Sequence, residues 1–384
     1  MRQIPFCAVE RAVRLLRAVS AGLLVSVTAT ALAGGAAVAG EPTPIEQRIE
    51  RMTLRAKVGQ LVMFSVNSTS LSSTEKEVIR GARLGGVILF AKNYSNRTRL
   101  RALTDQIQRA ARAGRADPIG ALISVDQEGG LVKRFEDMPP WYSAPEMGDR
   151  DKSVAYSQGR ATGRALRGVG VNVDLAPVAD LDLPPEHVMA SRSFGTDPVP
   201  VGRRVKAFAL GLQSERTTAT AKHFPGLGGA TRNSDFGRSY VYRSKWKLHH
   251  VDAVPFHIAI DGGLRMVMLS HAMYTNDGGN RPASVNHYIA SDRLRDEFDF
   301  TGVAISDALE AVAWRFDNDV PRTCRATIAA GVDIALITGD VYVARACAGA
   351  IKDAVDSGAI SETRIDRSVE RVLELKAWLR VYDP

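Results

Sequence analysis

The amino-acid sequence predicts an α/β fold, a (β/α)8 TIM-type barrel that forms a single domain. Eight short runs rich in Val, Ile, Leu, Ala and Met alternate with longer segments of helical periodicity, and such runs are typical of parallel strands buried on both faces. Polar residues follow several of these runs, whereas no G-x-G-x-x-G follows the first. These observations favour the barrel over a doubly wound open sheet, the alternative fold for this order of elements.

The N-terminal segment has the order of a secretory signal peptide. Residues 1–18 carry four arginines and one acid, residues 19–33 are apolar and small, and Ala37-Val38-Ala39 offers a cleavage site. A membrane anchor is the alternative, but the apolar run is shorter than the ~20 residues of a bilayer span. We therefore expect a secreted, extracytoplasmic protein with no stable membrane span after cleavage. The predicted organisation is a signal peptide over 1–39, an N-terminal arm over 40–50 and a barrel domain over 51–384.

Each predicted strand is a short apolar run followed by a segment with helical periodicity. The strands are expected at residues 60–66, 86–91, 121–127, 171–178, 217–223, 266–271, 302–307 and 332–337. Between them, apolar residues recur every three to four positions, as an amphipathic helix requires. The helices are expected at residues 98–113, 153–167, 201–212, 291–299 and 361–379.

Composition and charge exclude several classes of protein. The 384 residues are 24% charged and 45% hydrophobic, which excludes disordered, collagen-like and coiled-coil chains. The formal charge of +8 falls to +5 without the first 39 residues. Because no basic stripe with interleaved aromatic residues is present, a nucleic-acid partner is not expected.

The three cysteines form no metal-binding pattern with histidine, and no metal site is expected. Cys7 lies in the predicted signal peptide, so the mature protein would keep Cys324 and Cys347. In an oxidising compartment these two form either a disulfide or a pair of buried free thiols, because sequence separation gives no Cα distance.

The candidate active site is a ring of polar residues at the carboxyl ends of the predicted strands, where barrel active sites lie. Its members are Asp126-Gln127-Glu128 after strand three, Asp180 after strand four, Lys222-His223 in strand five, Ser270-His271 in strand six and Ser306-Asp307 in strand seven. Single members have structural explanations, such as a helix cap for an aspartate, an ion pair for Lys222 or a core position for His271. Five strands ending in this way point to function, since a buried charge costs several kcal/mol unless it is paired. Carboxylates together with cationic groups suit glycoside hydrolysis.

At these residues the sequence resembles glycoside hydrolase family 3, and within it the single-domain bacterial β-N-acetylhexosaminidases. The similarity extends from Met52 to about Leu379. The matching segments are KVGQLVMF (57–64), LGGVILFAKN (84–93), SVDQEGGLVKRF (124–135), ASRSFGTDP (190–198), AKHFPGLG (221–228), TGVAISDAL (301–309) and AGVDIALI (330–337). The barrel is also the fold that this resemblance implies.

The resemblance implies a retaining double displacement without a cofactor. Asp307 matches the family's nucleophile, which forms a covalent glycosyl-enzyme intermediate. The positions that match residues holding the sugar hydroxyls are Asp126, Arg134, Arg192, Lys222 and His223. His271 joins them as a candidate substrate-binding residue from the polar ring, with a core histidine as its alternative.

One loop departs from the family pattern. In the hexosaminidases a D-S-H triplet follows KHFPG, and its histidine is the acid/base, supported by the aspartate. Here Asn233 stands in place of that aspartate and Asp235 in place of the histidine. Three outcomes are open: Asp235 is the general acid/base, the site binds sugars with little or no turnover, or Asp235 is a solvated residue and another acid is recruited. Gly226, Gly228 and Gly229 predict a mobile loop.

A smaller departure is Leu131, where the family more often has arginine. The sequence therefore predicts a secreted retaining β-glycosidase that acts on β-N-acetylhexosaminides, with peptidoglycan fragments among its candidate carbohydrate substrates. The alternatives are a catalytically degenerate glycan-binding barrel and a β-glycosidase of shifted sugar specificity.

Overall fold

Eight parallel strands form a nearly closed barrel in the part of the chain that the computed structural model describes, residues 41–114 and 118–384. The predicted signal peptide lies outside these residues. The strands are β1 (Val62–Ser65), β2 (Gly86–Leu89), β3 (Leu122–Val125), β4 (Val173–Asp174), β5 (Thr218–Phe224), β6 (Met266–Leu269), β7 (Val303–Ser306) and β8 (Ala335–Leu336). Neighbouring strands pair in the order β7-β6-β5-β4-β3-β2-β1-β8. A parallel bridge between Ile305 and Ile334 joins the two ends, so the predicted (β/α)8 barrel is confirmed.

Helices surround the barrel and alternate with its strands. They are α1 (Pro44–Glu50), α2 (Leu54–Gly59), α3 (Ser73–Ala82), α4 (Arg97–Arg112), α5 (Ala144–Gly148), α6 (Lys152–Gly168), α7 (Pro198–Ser214), α8 (Lys245–Lys247), α9 (Val254–Asp261), α10 (Val320–Ala330), α11 (Val341–Asp356) and α12 (Glu362–Trp378). Two further segments are π-helical, Leu248–Asp252 and Tyr288–Glu297. The second overlaps the helix predicted at residues 291–299.

Shorter elements lie in the loops at the carboxyl end of the barrel. Single 3₁₀ turns or short 3₁₀ helices occur at Ala91–Asn93, Ser234–Phe236, Ala283–Val285 and Leu309–Phe316. Two small strand pairs are formed by Gln127–Gly129 with Val132–Lys133 and by Tyr240–Val241 with Met273–Tyr274. These elements build the loops above the barrel, where the candidate site lies.

The fourth strand is shorter than the sequence predicts, two residues instead of the run 171–178. Pro177 has no N–H to donate, so a regular ladder of hydrogen bonds cannot continue through it. Pairing resumes at Val178, which forms an isolated parallel bridge with Lys222. The apolar run therefore lies at a strand position, as the sequence predicts, but its proline interrupts the regular part.

Residues 40–50, expected to form an N-terminal arm, contain helix α1. Its start is fixed by a capping box, in which the Thr43 side chain accepts from the Glu46 N–H and the Glu46 side chain accepts from the Thr43 N–H. Ile49 of this helix is buried in the hydrophobic core. The segment therefore packs on the barrel instead of extending away from it.

Cys324 of α10 and Cys347 of α11 form a disulfide, with their Cα atoms 5.7 Å apart. Both side chains are fully buried. Of the two predicted alternatives, the structure has the disulfide and not the pair of free thiols. Within residues 41–114 and 118–384, we find no helix that has both the length and the apolarity needed to span a bilayer.

Candidate active site

The residues that the sequence placed at the strand ends meet at the carboxyl end of the barrel. Lys222 of β5 lies at their centre, and its side chain is 2% exposed. Its Nζ donates to Asp126 Oδ1 at 2.7 Å and lies 2.6 Å from Glu128 Oε1. Asp126 Oδ2 is 3.6 Å from Nη2 of Arg134. These contacts join the end of β3 to the end of β5.

Glu128 is held by two cations. The Arg192 guanidinium donates to both oxygens of Glu128, with Nε 2.9 Å from Oε2 and Nη2 2.7 Å from Oε1. Burial acts to raise the pKa of Glu128, but the charges of Lys222 and Arg192 prevail and lower it to about 2. Burial likewise acts to lower the pKa of Lys222, and the carboxylates of Asp126 and Glu128 raise it. Glu128 and Lys222 are therefore both ionised at neutral pH.

His223 is oriented by a buried carboxylate. Its Nδ1 is 2.7 Å from Oδ2 of Asp180, which is completely buried. Asp180 Oδ1 also accepts from the backbone N–H of His223 at 3.1 Å and of Leu227 at 2.7 Å. A carboxylate at Nδ1 requires a proton on that nitrogen. Nε2 then points toward Asp307, 3.8 Å from its Oδ2.

Asp307 follows β7 directly and reaches the cleft, where its side chain is 17% exposed. Its Oδ1 accepts from the N–H of Ala308 at 2.8 Å. Burial acts to raise the pKa of Asp307, but its electrostatic interactions with the His223 and His271 rings and the Ala308 N–H bond outweigh it, so the pKa is lowered. A carboxylate in this setting is ionised at neutral pH and can act as a nucleophile.

His271 lies behind Asp307 and uses both ring nitrogens on the protein. Nε2 is 2.8 Å from the carbonyl oxygen of Ala308, and Nδ1 is 2.7 Å from the hydroxyl of Ser284. These bonds fix the backbone next to Asp307. Its predicted contact with substrate stays a prediction, because both ring nitrogens already have partners in this structure.

An irregularity in β5 brings two consecutive side chains to the same site. Lys222 pairs with Met268 and Phe224 with Leu269, so the register of β5 against β6 shifts and His223 is the extra residue. A regular strand would place Lys222 and His223 on opposite faces, whereas a bulge re-aims a side chain. The peptide bond between the two residues is cis.

Asp235 is not part of this cluster. It lies exposed on the 3₁₀ turn Ser234–Phe236, at the tip of the loop after β5. The side chain of Asn233 accepts from the Asp235 N–H at 3.0 Å and so caps the turn. The loop meets the segment after β7 through Arg238, whose guanidinium lies 4.4 Å from the ring centre of Trp314.

The base of this loop makes backbone contacts with neighbouring segments, and the mobility that its glycines predicted stays a prediction. Thr231 N–H donates to Tyr240 O at 2.9 Å, and Ala230 pairs with Val241. A Cβ on Gly228 would lie only 2.0 Å from the backbone oxygen of Leu181, so this glycine permits close packing. Leu131, the other departure, is 81% exposed, and Arg134 keeps its place beside Asp126.

Glu128 and Asp180 belonged to the predicted ring without an assigned role, whereas a third carboxylate, Asp174, was not predicted at all. Asp174 lies beneath them, with Oδ1 accepting from the Gln127 N–H at 3.0 Å. Burial raises the pKa of Asp174 well above its ordinary value. Its position within an apolar run could have marked it. In the described residues we find no group of three or more His, Cys, Asp or Glu side chains suited to hold a metal ion.

Comparisons with known proteins place these features in context. The model of the glycosyl hydrolase family 3 N-terminal domain matches residues 53–375. A protein of Nitrosomonas eutropha named beta-hexosaminidase is 31% identical over 325 residues, which are 82% of this chain and 91% of that protein. A protein of Arthroderma benhamiae named uncharacterized secreted glycosyl hydrolase is 32% identical over 337 residues, 85% of this chain and 94% of the other.

Solved structures give the same result. A family 3 β-N-acetylglucosaminidase from Paenibacillus sp. superposes with a TM-score of 0.81 at 32% identity, covering 86% of this chain. The chain spans only 63% of that protein's length. A β-N-acetylhexosaminidase from Beutenbergia cavernae superposes with a TM-score of 0.74 at 27% identity, covering 85% of this chain and 99% of the other.

Proposed function

The chain belongs to glycosyl hydrolase family 3, and from this premise we propose that it hydrolyses β-linked N-acetylhexosaminides with retention, using Asp307 as the nucleophile. The observation that carries the proposal is the position of Asp307. Its carboxylate is ionised, opens into the cleft and faces His223, beside the cluster of Asp126, Lys222 and Glu128.

The geometry suggests how the site would work. A carboxylate oxygen of Asp307 attacks the anomeric carbon while the bond from that carbon to the leaving oxygen breaks, which yields a covalent glycosyl-enzyme. Asp126 and Arg134 are part-exposed at the cleft and can accept from and donate to sugar hydroxyls. Water then attacks the same carbon, releases Asp307 and leaves the configuration retained.

The leaving oxygen needs a proton, and we assign this role to Asp235. It occupies the position of the family's acid/base histidine, and its exposed carboxyl group is free to meet the leaving group. Asn233 would orient the turn without adding a second charge, since its amide oxygen accepts from the Asp235 N–H. A site that binds glycans without turnover is the second candidate. It is favoured by the loop sequence, in which Asn233 and Asp235 replace the aspartate and the histidine of the family's D-S-H triplet.

The preference for an N-acetylhexosaminide is supported by the relatives' names. Several curated relatives are named beta-hexosaminidase, and two solved structures at 27–32% identity are described as a β-N-acetylglucosaminidase and a β-N-acetylhexosaminidase. Because the loop after β5 differs, a panel of aryl β-glycosides with and without the acetamido group is needed to test the sugar. If a glycoside without the acetamido group is hydrolysed as fast or faster, the specificity has shifted away from N-acetylhexosaminides.

The nucleophile is tested with an activated aryl β-N-acetylglucosaminide, whose leaving group needs little protonation. Wild type should release the aryl group and first form the β-anomer of the sugar, as seen by NMR. Asp307→Ala should lower kcat/KM at least about 10³-fold, whereas the matched control Asp353→Ala, on the exposed side of α11, should not. Absence of turnover by wild type on the whole panel would favour a glycan-binding protein, and an α-anomer would contradict the double displacement.

The acid/base role is tested by comparing leaving groups. Asp235→Ala should lower kcat about 10²–10⁴-fold on glycosides with poor leaving groups and far less on activated ones, and azide should restore turnover of the latter. An equal loss on both kinds of substrate, without rescue by azide, would remove Asp235 from the mechanism.

We also propose that the protein is exported and that residues 1–39 are removed. The order of charges and apolar residues in this segment supports export, and so does the Cys324–Cys347 disulfide, since disulfides are rare in reducing compartments. Mass spectrometry of secreted protein should find a mature chain that begins near Gly40. Secreted protein that retains Met1 would contradict the proposal.

A further inference from the structure

A basic cavity of about 500 Å³ lies on the outer wall of the barrel, away from the candidate active site. The loop after β6 contributes Arg281 and His287, the segment after β7 contributes Arg315, and helix α10 contributes Arg322 and Arg325. None of the residues that line the cavity belongs to the cluster around Asp307. We call this feature the basic cavity.

Three of the four arginines that line the basic cavity have no carboxylate partner in the described residues, and His287 lies 3.5 Å from Asp292. No acidic residue is among its lining residues. Arg322 is 3.3 Å from Asp317, but that carboxylate is almost fully exposed to solvent. In the described part of the chain, Arg281, Arg315 and Arg325 make no ion pair or hydrogen bond. Like charges gathered in a concave surface create a positive potential that concentrates anions.

Apolar side chains also line the basic cavity, and we call them its apolar floor. They are Val285, Phe316, Ala326, Ala329, Ala330, Ala359 and Ile360. Sites for small organic ligands combine such a floor with a few converging polar groups and have volumes of about 300–1,000 Å³. A single inorganic ion would leave this floor uncovered, whereas a ligand with a ring would cover it.

We propose that the basic cavity is a second binding site and that it takes an anionic saccharide, a sugar that carries a phosphate or a carboxylate. Guanidinium groups bind both oxyanions with paired hydrogen bonds. Arg315 and Arg325 are two of the three lining arginines whose donors make no bond within the described residues. That the ligand is a saccharide rests on the proposed function, whereas the preference for an anion rests on the cavity alone.

Calorimetric titration of the mature protein with four probes tests this proposal: glucose 6-phosphate, glucuronate, neutral N-acetylglucosamine and inorganic phosphate. At least one sugar anion should bind saturably, and more tightly than inorganic phosphate and the neutral sugar. The double variant Arg315→Ala/Arg325→Ala should weaken that binding at least tenfold. The control Arg99→Ala/Arg345→Ala removes the same charge from other exposed helix positions and should leave it unchanged.

The outcomes separate the two anions and the two proposals. Binding of glucose 6-phosphate alone assigns the site to phosphate, and binding of glucuronate alone assigns it to carboxylate. The proposal is overturned if neither sugar anion binds, if the double variant binds like wild type, or if inorganic phosphate binds as tightly as the sugar anions. Hydrolysis of the aryl glycoside by the double variant should stay within twofold of wild type. Wild-type protein that binds a sugar anion but does not hydrolyse the aryl glycoside would contradict the proposed function. It would not contradict the proposal that the basic cavity is a binding site.

Discussion

At the scale of single residues, charge balance defines the candidate site. Lys222 is buried, and its ammonium would cost several kcal/mol there without partners. Asp126 and Glu128 supply that compensation, and Arg192 compensates the second carboxylate. Glu128 therefore serves mainly to keep Lys222 and Arg192 in place, while Asp126, which is more exposed, keeps an oxygen toward the cleft.

Replacing Glu128 should change how stability depends on pH. The folded-state pKa of Glu128 is depressed to about 2 from 4.5, so its stabilising effect is complete above about pH 4.5 and is lost as the pH falls toward 2. The difference in unfolding free energy between wild type and Glu128→Gln should shrink by on the order of 2 kcal/mol between pH 6 and pH 3. Denaturant unfolding at a series of pH values measures this difference.

The exposed residue Glu77 supplies the control for this experiment. The difference in unfolding free energy between wild type and Glu77→Gln should be the same at every pH. If the difference between wild type and Glu128→Gln were also independent of pH, Glu128 would not be held ionised by its two cations.

At the scale of secondary-structure elements, the loops after β5 and β7 meet across the end of β6. Adjacent strands lie ~4.8 Å apart, so β5 and β7 are separated by the width of two such steps, yet Arg238 and Trp314 are in contact. This contact links the loop that carries Asp235 to the segment that follows Asp307.

Breaking that contact should resemble the loss of Asp235. Arg238→Ala removes a cation–π interaction of about 0.5–1 kcal/mol at an exposed site, and the turn should open more often. We expect a several-fold decrease of kcat/KM for poor leaving groups, little change for activated ones, and faster hydrogen exchange in residues 231–240. Arg238→Lys keeps the cation and should restore part of the activity. Unchanged exchange and kinetics in Arg238→Ala would show that the contact does not hold the loop.

The disulfide joins two neighbouring helices, α10 and α11, over a sequence separation of 23 residues. A crosslink of this length stabilises the folded state by about 3 kcal/mol. For a chain of this size we expect reduction to lower Tm by about 4 °C. Thermal unfolding with and without reductant measures the effect. The double variant Cys324→Ala/Cys347→Ala should not respond to reductant, and an equal response of that variant would assign the shift to another cause.

At the scale of the whole molecule, Asp333 connects the parts that close the barrel. Its Oδ2 is 2.6 Å from Arg295 Nη2 of the π-helix and accepts from the N–H of Ala304 in β7 at 2.8 Å. Its Oδ1 accepts from Ser368 and Arg371 of α12. Burial acts to raise the pKa of Asp333, but these arginines lower it. One buried carboxylate thus links β7, the last helix and the segment before β8.

Removing this carboxylate should destabilise the fold without altering the chemistry. Asp333→Ala leaves Arg295 without its buried partner and should cost about 3–5 kcal/mol of unfolding free energy, measured in urea. Because Asp333 lies among the helices outside the cleft cluster, KM of the remaining folded enzyme should be unchanged. Stability within 1 kcal/mol of wild type would contradict this linking role.

Local patterns in the sequence were sufficient for the barrel, for the strand ends that carry polar residues, and for membership of glycosyl hydrolase family 3. Apolar runs and helical periodicity depend on near neighbours, and both are visible in a single chain. The motif around Asp126 and the segment around Asp307 also lie within a few residues. The start of α12 at Ser361 follows from a local cap, since its side chain accepts from the Arg364 N–H.

Contacts between distant segments decided the rest. The pairing of Glu128 with Arg192 spans 64 residues, and Nε2 of His223 faces Asp307 because Asp180 holds Nδ1. The disulfide required a Cα distance, and the close packing at the base of the loop after β5 required the backbone of Leu181 beside Gly228. Periodicity shows which face of an element is buried, but it does not show which residue of another element contacts that face. Those contacts are set only when the barrel closes and the packed core leaves one arrangement of charges.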